Sequence, residues 1–349
     1  MVNCNDKIMR DMKNILIIAG FLIGLIACKN QDNDFPDYKY TTAYFPYQYP
    51  VRTLVLGDYI YDNTNDNNHT FLISAAMGGV YTNTKDRTLD IGLTPDLCKR
   101  ALFAASKDTI RLMPESYYTL SSSDKLVIPA GEFNGSIEVH LKDAFFTDPY
   151  AIKNTYVIPL MIKSSNDVDS ILQGKKSIVA PDIRIDGNWI TTPKNFTMFA
   201  VKYINQYHGK YLHRGASSVK DGTGNVIDKA VYRTTYIVDN EVWSLTTTGF
   251  KQVSTSGAIR SSVFSGTLNM LLTFDDNGNC TVKENTGSAY TITGTGKFLD
   301  DADEWGNKKR DAIHISYQFT NGGKTYSATD TLVIRDRAVV LETYKPVIF

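Results

Sequence analysis

Ile313-His314-Ile315-Ser316-Tyr317-Gln318-Phe319, followed at once by Thr320-Asn321-Gly322-Gly323, is the stretch on which the fold turns. Large apolar side chains recur at every second position and polar ones fill the gaps. A two-residue period sends one set of side chains to a buried face and the other to water, which is a strand of a half-buried sheet. Asn321-Gly322-Gly323 then supplies the positive φ angles of a tight hairpin. Downstream, Leu332-Val333-Ile334 and Val339-Val340-Leu341 continue the sheet. Upstream, Leu268, Met270, Leu272 and Phe274 alternate with Asn269, Leu271 and Thr273, and Tyr290, Ile292 and Gly294 alternate with threonines. Between these runs Asp275-Asp276-Asn277-Gly278-Asn279 turns the chain back toward Val282. Short antiparallel strands at near-regular spacing predict a barrel or sandwich over residues 194–349.

The front half carries the same signal. Ile137, Val139 and Leu141 alternate with Glu138, His140 and Lys142, so His140 points outward. Tyr156-Val157-Ile158-Pro159-Leu160-Met161-Ile162 is apolar on both faces, as a strand covered on both sides would be, and Pro159 predicts an edge or a bulge. Apart from a turn or two near Pro95 to Ala105, little there reads as helix. The expected fold is all-β: an Ig-like β-sandwich over 39–165, a polar linker over 166–193 holding Gly174, Pro181 and Gly187, and a second antiparallel β-barrel or sandwich over 194–349. The boundary falls near Pro181.

Ahead of these domains, Lys13 precedes an uncharged apolar run from Ile15 to Ala27, shorter than the roughly 20 residues that a membrane span needs. Residues 1–28 therefore read as a secretory signal, with Met12 as an alternative start. Leu25-Ile26-Ala27-Cys28 resembles the lipobox read by lipoprotein signal peptidase, which implies lipid attachment at Cys28 and anchoring in the outer membrane. Residues 29–38 begin Lys29-Asn30-Gln31-Asp32-Asn33-Asp34 and make a polar tether. That tether resembles the acidic export signal of Bacteroidetes lipoproteins, which implies a place on the cell exterior. Lys plus Arg equals Asp plus Glu at 37 each, without a long basic run, so there is no electrostatic footprint for nucleic acid. Cys4 and Cys28 belong to the presequence and anchor. The distant Cys98 and Cys280 are expected as small buried hydrophobes, not as a disulfide.

Leu112-Met113-Pro114-Glu115-Ser116-Tyr117-Tyr118-Thr119-Leu120, then Ile128-Pro129-Ala130-Gly131-Glu132 and Tyr156-Val157-Ile158-Pro159-Leu160, resemble a β-sandwich domain of Bacteroidetes surface proteins, also found in front of some family 18 endo-β-N-acetylglucosaminidases. Tyr207-His208-Gly209-Lys210-Tyr211 and Asp330-Thr331-Leu332-Val333-Ile334-Arg335-Asp336-Arg337 are similar to the partner domain in such lipoproteins, with a further likeness to lipocalin barrels. The resemblance implies a surface glycan-binding or adhesive role beside carbohydrate-uptake systems, with outer-membrane transporter components as partners.

A glycan site needs aromatic faces for the apolar sides of sugar rings, and Asp, Asn or Arg for their hydroxyls. Trp305, in the polar run Asp300 to Arg310 read as a loop, is the leading candidate, with Glu304 beside it; Trp189, near the domain junction, and Trp243 follow, although Trp243 alternates with Leu245 and is explained most simply by burial. Tyr38, Tyr40, Tyr44, Tyr47 and Tyr49 read as a first strand packing on its domain. Enzyme signatures are missing. There is no Asp-x-x-Asp-x-Asp-x-Glu run of family 18, no Gly-x-Ser-x-Gly elbow, no phosphate loop and no His-Glu-x-x-His. Asp303 with Glu304 reads as solvated surface, and His208 with His213 lacks metal-ligand spacing. Asp275, Asn277 and Asn279 start like a calcium loop, but Cys280 and Thr286 stand where Gly and Glu are required, so a plain hairpin is expected. Arg335-Asp336-Arg337 is expected to form charge pairs at a barrel end. The reading is a non-catalytic surface lipoprotein that binds a glycan and needs no cofactor or metal. An adhesive protein that binds another protein is the alternative, and a glycoside hydrolase comes third.

Overall fold

The computed structural model describes residues 40–349; the expected signal peptide over 1–28 with Cys28, and the whole of the expected tether over 29–38, lie outside the described residues. The front domain is a sandwich of two sheets. In the first, Thr42–Tyr44, Thr70–Gly78, Asn134–Leu141 and Tyr118–Leu120 pair antiparallel in that order, with Ser170–Ile171 added parallel at the outer edge. In the second, Glu342–Thr343, Pro50–Val55, Phe196–Ile204, Tyr156–Ser164, Arg87–Leu93 and Lys125–Ile128 lie side by side. Asn134–Leu141 alternates strictly between exposed and buried. Its Ile137, Val139 and Leu141 meet Leu89, Ile158, Leu160 and Tyr203 in one core.

Tyr156–Ser164 is buried on both faces, as its composition requires. Tyr156, Ile158 and Leu160 face the sandwich core, whereas Val157 packs with Phe103, Met198 and Tyr344 in a second cluster on the other side. Pro159 lies in a central strand, not at an edge. It sits where one side of the strand passes from its parallel partner Arg111–Leu112 to its antiparallel partner Arg87–Leu93, so its missing N–H breaks no ladder. The expected boundary shifts for a related reason. Phe196–Ile204, assigned by sequence to the C-terminal domain, is a strand of the front sheet, because both its faces are apolar and fit between Pro50–Val55 and Tyr156–Ser164. The linker is also partly structured: Ser170–Ile171 joins the first sheet, and Lys175–Lys176 pairs with Trp189–Thr191.

The second domain is a closed barrel of eight antiparallel strands. Gly209–Lys220, Glu241–Gly249, Gln252–Ala258, Thr267–Phe274, Asn279–Glu284, Thr293–Trp305, Lys308–Asn321 and Lys324–Asp336 pair in that order. The last returns to pair with the first and closes the ring. Val226–Tyr232 attaches outside the ring, to the far half of Gly209–Lys220. The quoted stretch is the strand that it was read to be, and Gly322 and Gly323 adopt φ of 56° and 71° between its two arms. Inward side chains fill the barrel: Tyr211, Trp243, Met270, Ile313, Ile315, Tyr317 and Leu332 belong to one core. Gly257 makes room for this packing, since a Cβ there would come within 2.0 Å of the Trp243 ring.

Three further expectations are revised. Val339-Val340-Leu341 does not continue the barrel; it leads the chain back to the front sheet, with Leu341 90% exposed. The run Asp300 to Arg310 is not a loop but the tip of the long hairpin Thr293–Trp305/Lys308–Asn321. Arg337 forms no charge pair among the described residues: buried at the junction, it donates to the carbonyls of Asp58 (2.6 Å), Leu56 (2.9 Å), Asn205 (2.7 Å) and His208 (2.8 Å). Beside it, Phe250 of the barrel packs against Phe146, Tyr203 and His69 of the sandwich. Asp275 accepts from the backbone N–H of Asn277 and Asn279 and closes a plain hairpin. Cys98 and Cys280 are free and buried, and burial pushes each thiol up to about 12.

Candidate functional site

A cleft of about 550 Å³ opens where the sandwich meets the rim of the barrel. One wall is the loop Asp58-Tyr59-Ile60-Tyr61. Gly57 begins it at φ 80°, a conformation that lets the chain pass close to Gln206. The Asn63 amide then donates to the carbonyls of Val55 and Gly57, and Arg337 holds those of Leu56 and Asp58. Asp66, nearly buried, accepts from the Val55 N–H and pairs with Arg52. The loop is thus anchored at its base while its tip stays open. Tyr59 and Tyr61 meet edge to face with centroids 5.4 Å apart, and Tyr61 is 68% exposed.

The barrel supplies the other wall. Register slips between Leu299 and Asp303, so that Asp300, Asp301 and Ala302 face Asp311 alone. This bulge bends the hairpin. Asp301 takes up φ 51° there and donates its backbone N–H to Asp311 Oδ1 at 3.1 Å. Burial, with the charges of Asp58, Asp300 and Asp301 added, holds the Asp311 carboxyl above the usual carboxylate range. Lys309, Arg310, Arg335 and Asp336 complete the lining, and Arg337 lies in the floor. Such a surface can stack a ring on tyrosine and offer its edge both carboxylate acceptors and cationic donors.

A second polar group lies inside the barrel. Asp330 accepts from the hydroxyls of Tyr232 and Tyr317, the latter at 2.9 Å, and burial with the carboxylate's charge pushes both phenols up. His213 Nε2 stands 3.1 Å from Asp330, poorly aligned for a hydrogen bond, and Nδ1 lies 3.3 Å from Glu241, which Arg260 also holds at 2.5 Å. This network is enclosed by packed aromatics and lines none of the cavities described.

The tryptophans proposed from sequence lie apart from one another. Trp305 is half-buried over Leu212, Ala312 and Val333 on the outside of the barrel, and its indole N–H donates to the Ile334 carbonyl at 3.0 Å. It does not line the cleft but touches two residues that do, Ile334 and Arg310, whose guanidinium lies 4.2 Å above its ring. Glu304 is exposed opposite Lys309 and forms no ion pair among the described residues. Trp189 is half-buried in the Lys175–Lys176/Trp189–Thr191 ribbon, away from the cleft lining, and bonds the Asp182 carbonyl. Trp243 is 3% exposed and stacked on His213, so its expected ligand role is corrected: packing inside the barrel leaves the ring no face for a ligand. Sequence reasoning missed Tyr59, Tyr61, Asp311 and Arg335. The two tyrosines do follow Gly57-Asp58 in a polar stretch, a local signal of an exposed aromatic loop.

A family model described as a domain of unknown function, DUF5627, matches residues 206–338, starting just after the strand Phe196–Ile204. A second model, described as an N-terminal domain, matches residues 38–169. No curated protein matches the chain. Among solved structures, a protein of unknown function from Bacteroides ovatus is 34% identical, with 89% of this chain and 99% of that chain covered and a TM-score of 0.81. A multidomain protein including DUF1735, from the same organism, is 13% identical over 85% of this chain and 94% of that chain, with a TM-score of 0.42. Another, named provisionally as a carbohydrate binding protein, is 13% identical over 79% and 81%, with a TM-score of 0.29. Identity of 34% along nearly the whole of the first structure means that this chain belongs to the family of that Bacteroides ovatus protein of unknown function, with a DUF5627 domain as its barrel.

Proposed function

We propose that the protein is a non-catalytic, lipid-anchored surface protein whose junction cleft binds a glycan. The observation that carries this reading is the cleft itself: a rigidly based loop presents Tyr59 and Tyr61 across from Asp301, Lys309, Arg310 and Arg335. Its volume lies within the range of small-ligand sites. Anchoring at Cys28, display on the outer membrane and partnership with transporter components extend the reading, on the strength of the lipobox-like Leu25-Ile26-Ala27-Cys28. The resemblance of the front domain to the one that precedes family 18 endoglycosidases supports a place near glycan-processing machinery.

The test is a glycan array followed by calorimetry on the chain from Lys29 onward, with Tyr61→Ala, Trp305→Ala and Trp189→Ala in parallel. Binding that Tyr61→Ala abolishes without a change in melting temperature supports the cleft. Binding lost only in Trp189→Ala moves the site to the front domain, and silence across the array rejects the reading. Metabolic labelling with palmitate, lost in Cys28→Ser, tests the anchor. An adhesive role is the second reading, favoured by Val226–Tyr232: the strand has a free edge, and Val231 there and Tyr236 just beyond it are each 70% exposed.

A further inference from the structure

Resting on the glycan reading, we propose that the ligand is an anionic saccharide, whose carboxylate or sulfate is taken by Lys309, Arg310 and Arg335 at the cleft rim. In the hairpin that forms this rim, Arg310 stands directly opposite Asp303 and Lys309 directly opposite Glu304. Opposite charges in such register ordinarily pair across strands. Here they do not. Asp303 is bound by Arg214 instead, and neither Lys309 nor Arg310 forms an ion pair among the described residues. Arg335 comes no nearer to a carboxylate than 3.8 Å, from Asp336, whose other oxygen accepts from the Ala338 N–H.

An unpaired Lys309 on open surface would mean little, since exposed ion pairs are worth little. Arg310 is different. Its guanidinium is partly withdrawn from water against the Trp305 ring, and its Nε is buried without an acceptor. Arginine taken out of water is seldom left without an anion. Trp305, itself pinned by Ile334, fixes the plane of that guanidinium as a ready bidentate donor. The carboxylates of the same cleft do not cancel this charge where it matters. Asp58 and Asp311 lie near the buried Arg337 in the floor and compensate part of the desolvation of its charge, which leaves Lys309 and Arg310, with the loosely held Arg335, for a ligand. Tyr59 and Tyr61 then stack the ring that bears the acid.

Calorimetry with tetragalacturonic acid, its methyl ester and a chondroitin sulfate tetrasaccharide tests the proposal. At low salt the acid or the sulfated sugar should bind about tenfold more tightly than the ester, as one charge-assisted contact implies. The gap should narrow as salt rises toward about 0.5 M. Lys309→Gln, whose side chain is exposed, and Arg310→Gln should each reduce that preference several-fold, with melting curves reporting the fold of the second. Preference for the uronate alone identifies a carboxylate, and for the sulfated sugar alone a sulfate. Binding of neither anionic sugar more tightly than the ester, or a preference untouched by both substitutions, overturns the proposal and leaves the glycan reading standing. Silence from these probes and from the neutral array overturns both.

Discussion

At the scale of single residues, the junction depends on Arg337. Four backbone carbonyls from both domains converge on one guanidinium, which forms no ion pair among the described residues. Arg337→Met should therefore lower stability by about 3 kcal/mol or more, because each buried carbonyl left without a donor costs about 1–3 kcal/mol. Urea denaturation measures this, and a loss under about 1 kcal/mol would mean that water replaces the arginine. Gly257 makes the opposite point, that an absent side chain can be essential. Gly257→Ala should cost about 1–3 kcal/mol by pushing its methyl into the Trp243 ring. The indole reports its own displacement, so a shifted tryptophan emission should accompany the loss. Neither residue was singled out for these roles by sequence, since a late arginine and a glycine between Ser256 and Ala258 carry no mark of what the fold brings against them.

At the scale of elements, the alternating runs told the truth because strand periodicity is local: a residue and its second neighbour share a face whatever the strand pairs with. Ile313 to Phe319 and Ile137 to Leu141 behave as read. Asn321-Gly322-Gly323 was equally legible, since positive φ at two successive positions selects glycine. Gly322→Ala should cost about 1 kcal/mol or more by placing a Cβ in the left-handed region, seen as a lower melting temperature without loss of the fold. Where the reading failed, the element was ambiguous by itself. Phe196–Ile204, apolar on both faces, could have served either domain. Asp300 to Arg310 looked like a loop because charged residues fill most positions of the hairpin tip and a bulge breaks its register, so no two-residue apolar period shows.

At the scale of the molecule, sandwich and barrel should melt together. Arg337 and the Phe250 contacts cross the junction, and the chain's end returns from the barrel to pair with the front sheet. Calorimetry should show one transition, and two separate ones in Arg337→Met would mark that residue as the source of coupling. His208 adds a pH dependence. Burial, then the charges of Arg337 and Lys202, push its imidazole down to about 4, so it is held neutral at the junction. In the unfolded chain the group protonates near pH 6.5, so folded and unfolded states differ in bound protons between those values. Its contribution is therefore full above about pH 6.5 and falls away as pH drops toward 4, by about 3 kcal/mol at most. In His208→Gln this part of the acid decline should vanish; an unchanged profile would place the titration elsewhere, with His69, whose imidazole burial also pushes down, the next group to replace.

The sequence by itself determined the all-β class, the alternation of buried and wet faces, the glycine hairpin and the presence of two β domains, because each follows from side-chain period and backbone preference within a few residues. Only the tertiary structure decided which strand belongs to which sheet, that the barrel closes by pairing Gly209–Lys220 with Lys324–Asp336, and that Asp58 to Tyr61 faces Lys309 to Asp311 across a cleft. Those pairings join segments more than a hundred residues apart in the chain, and no local pattern records a partner at that distance.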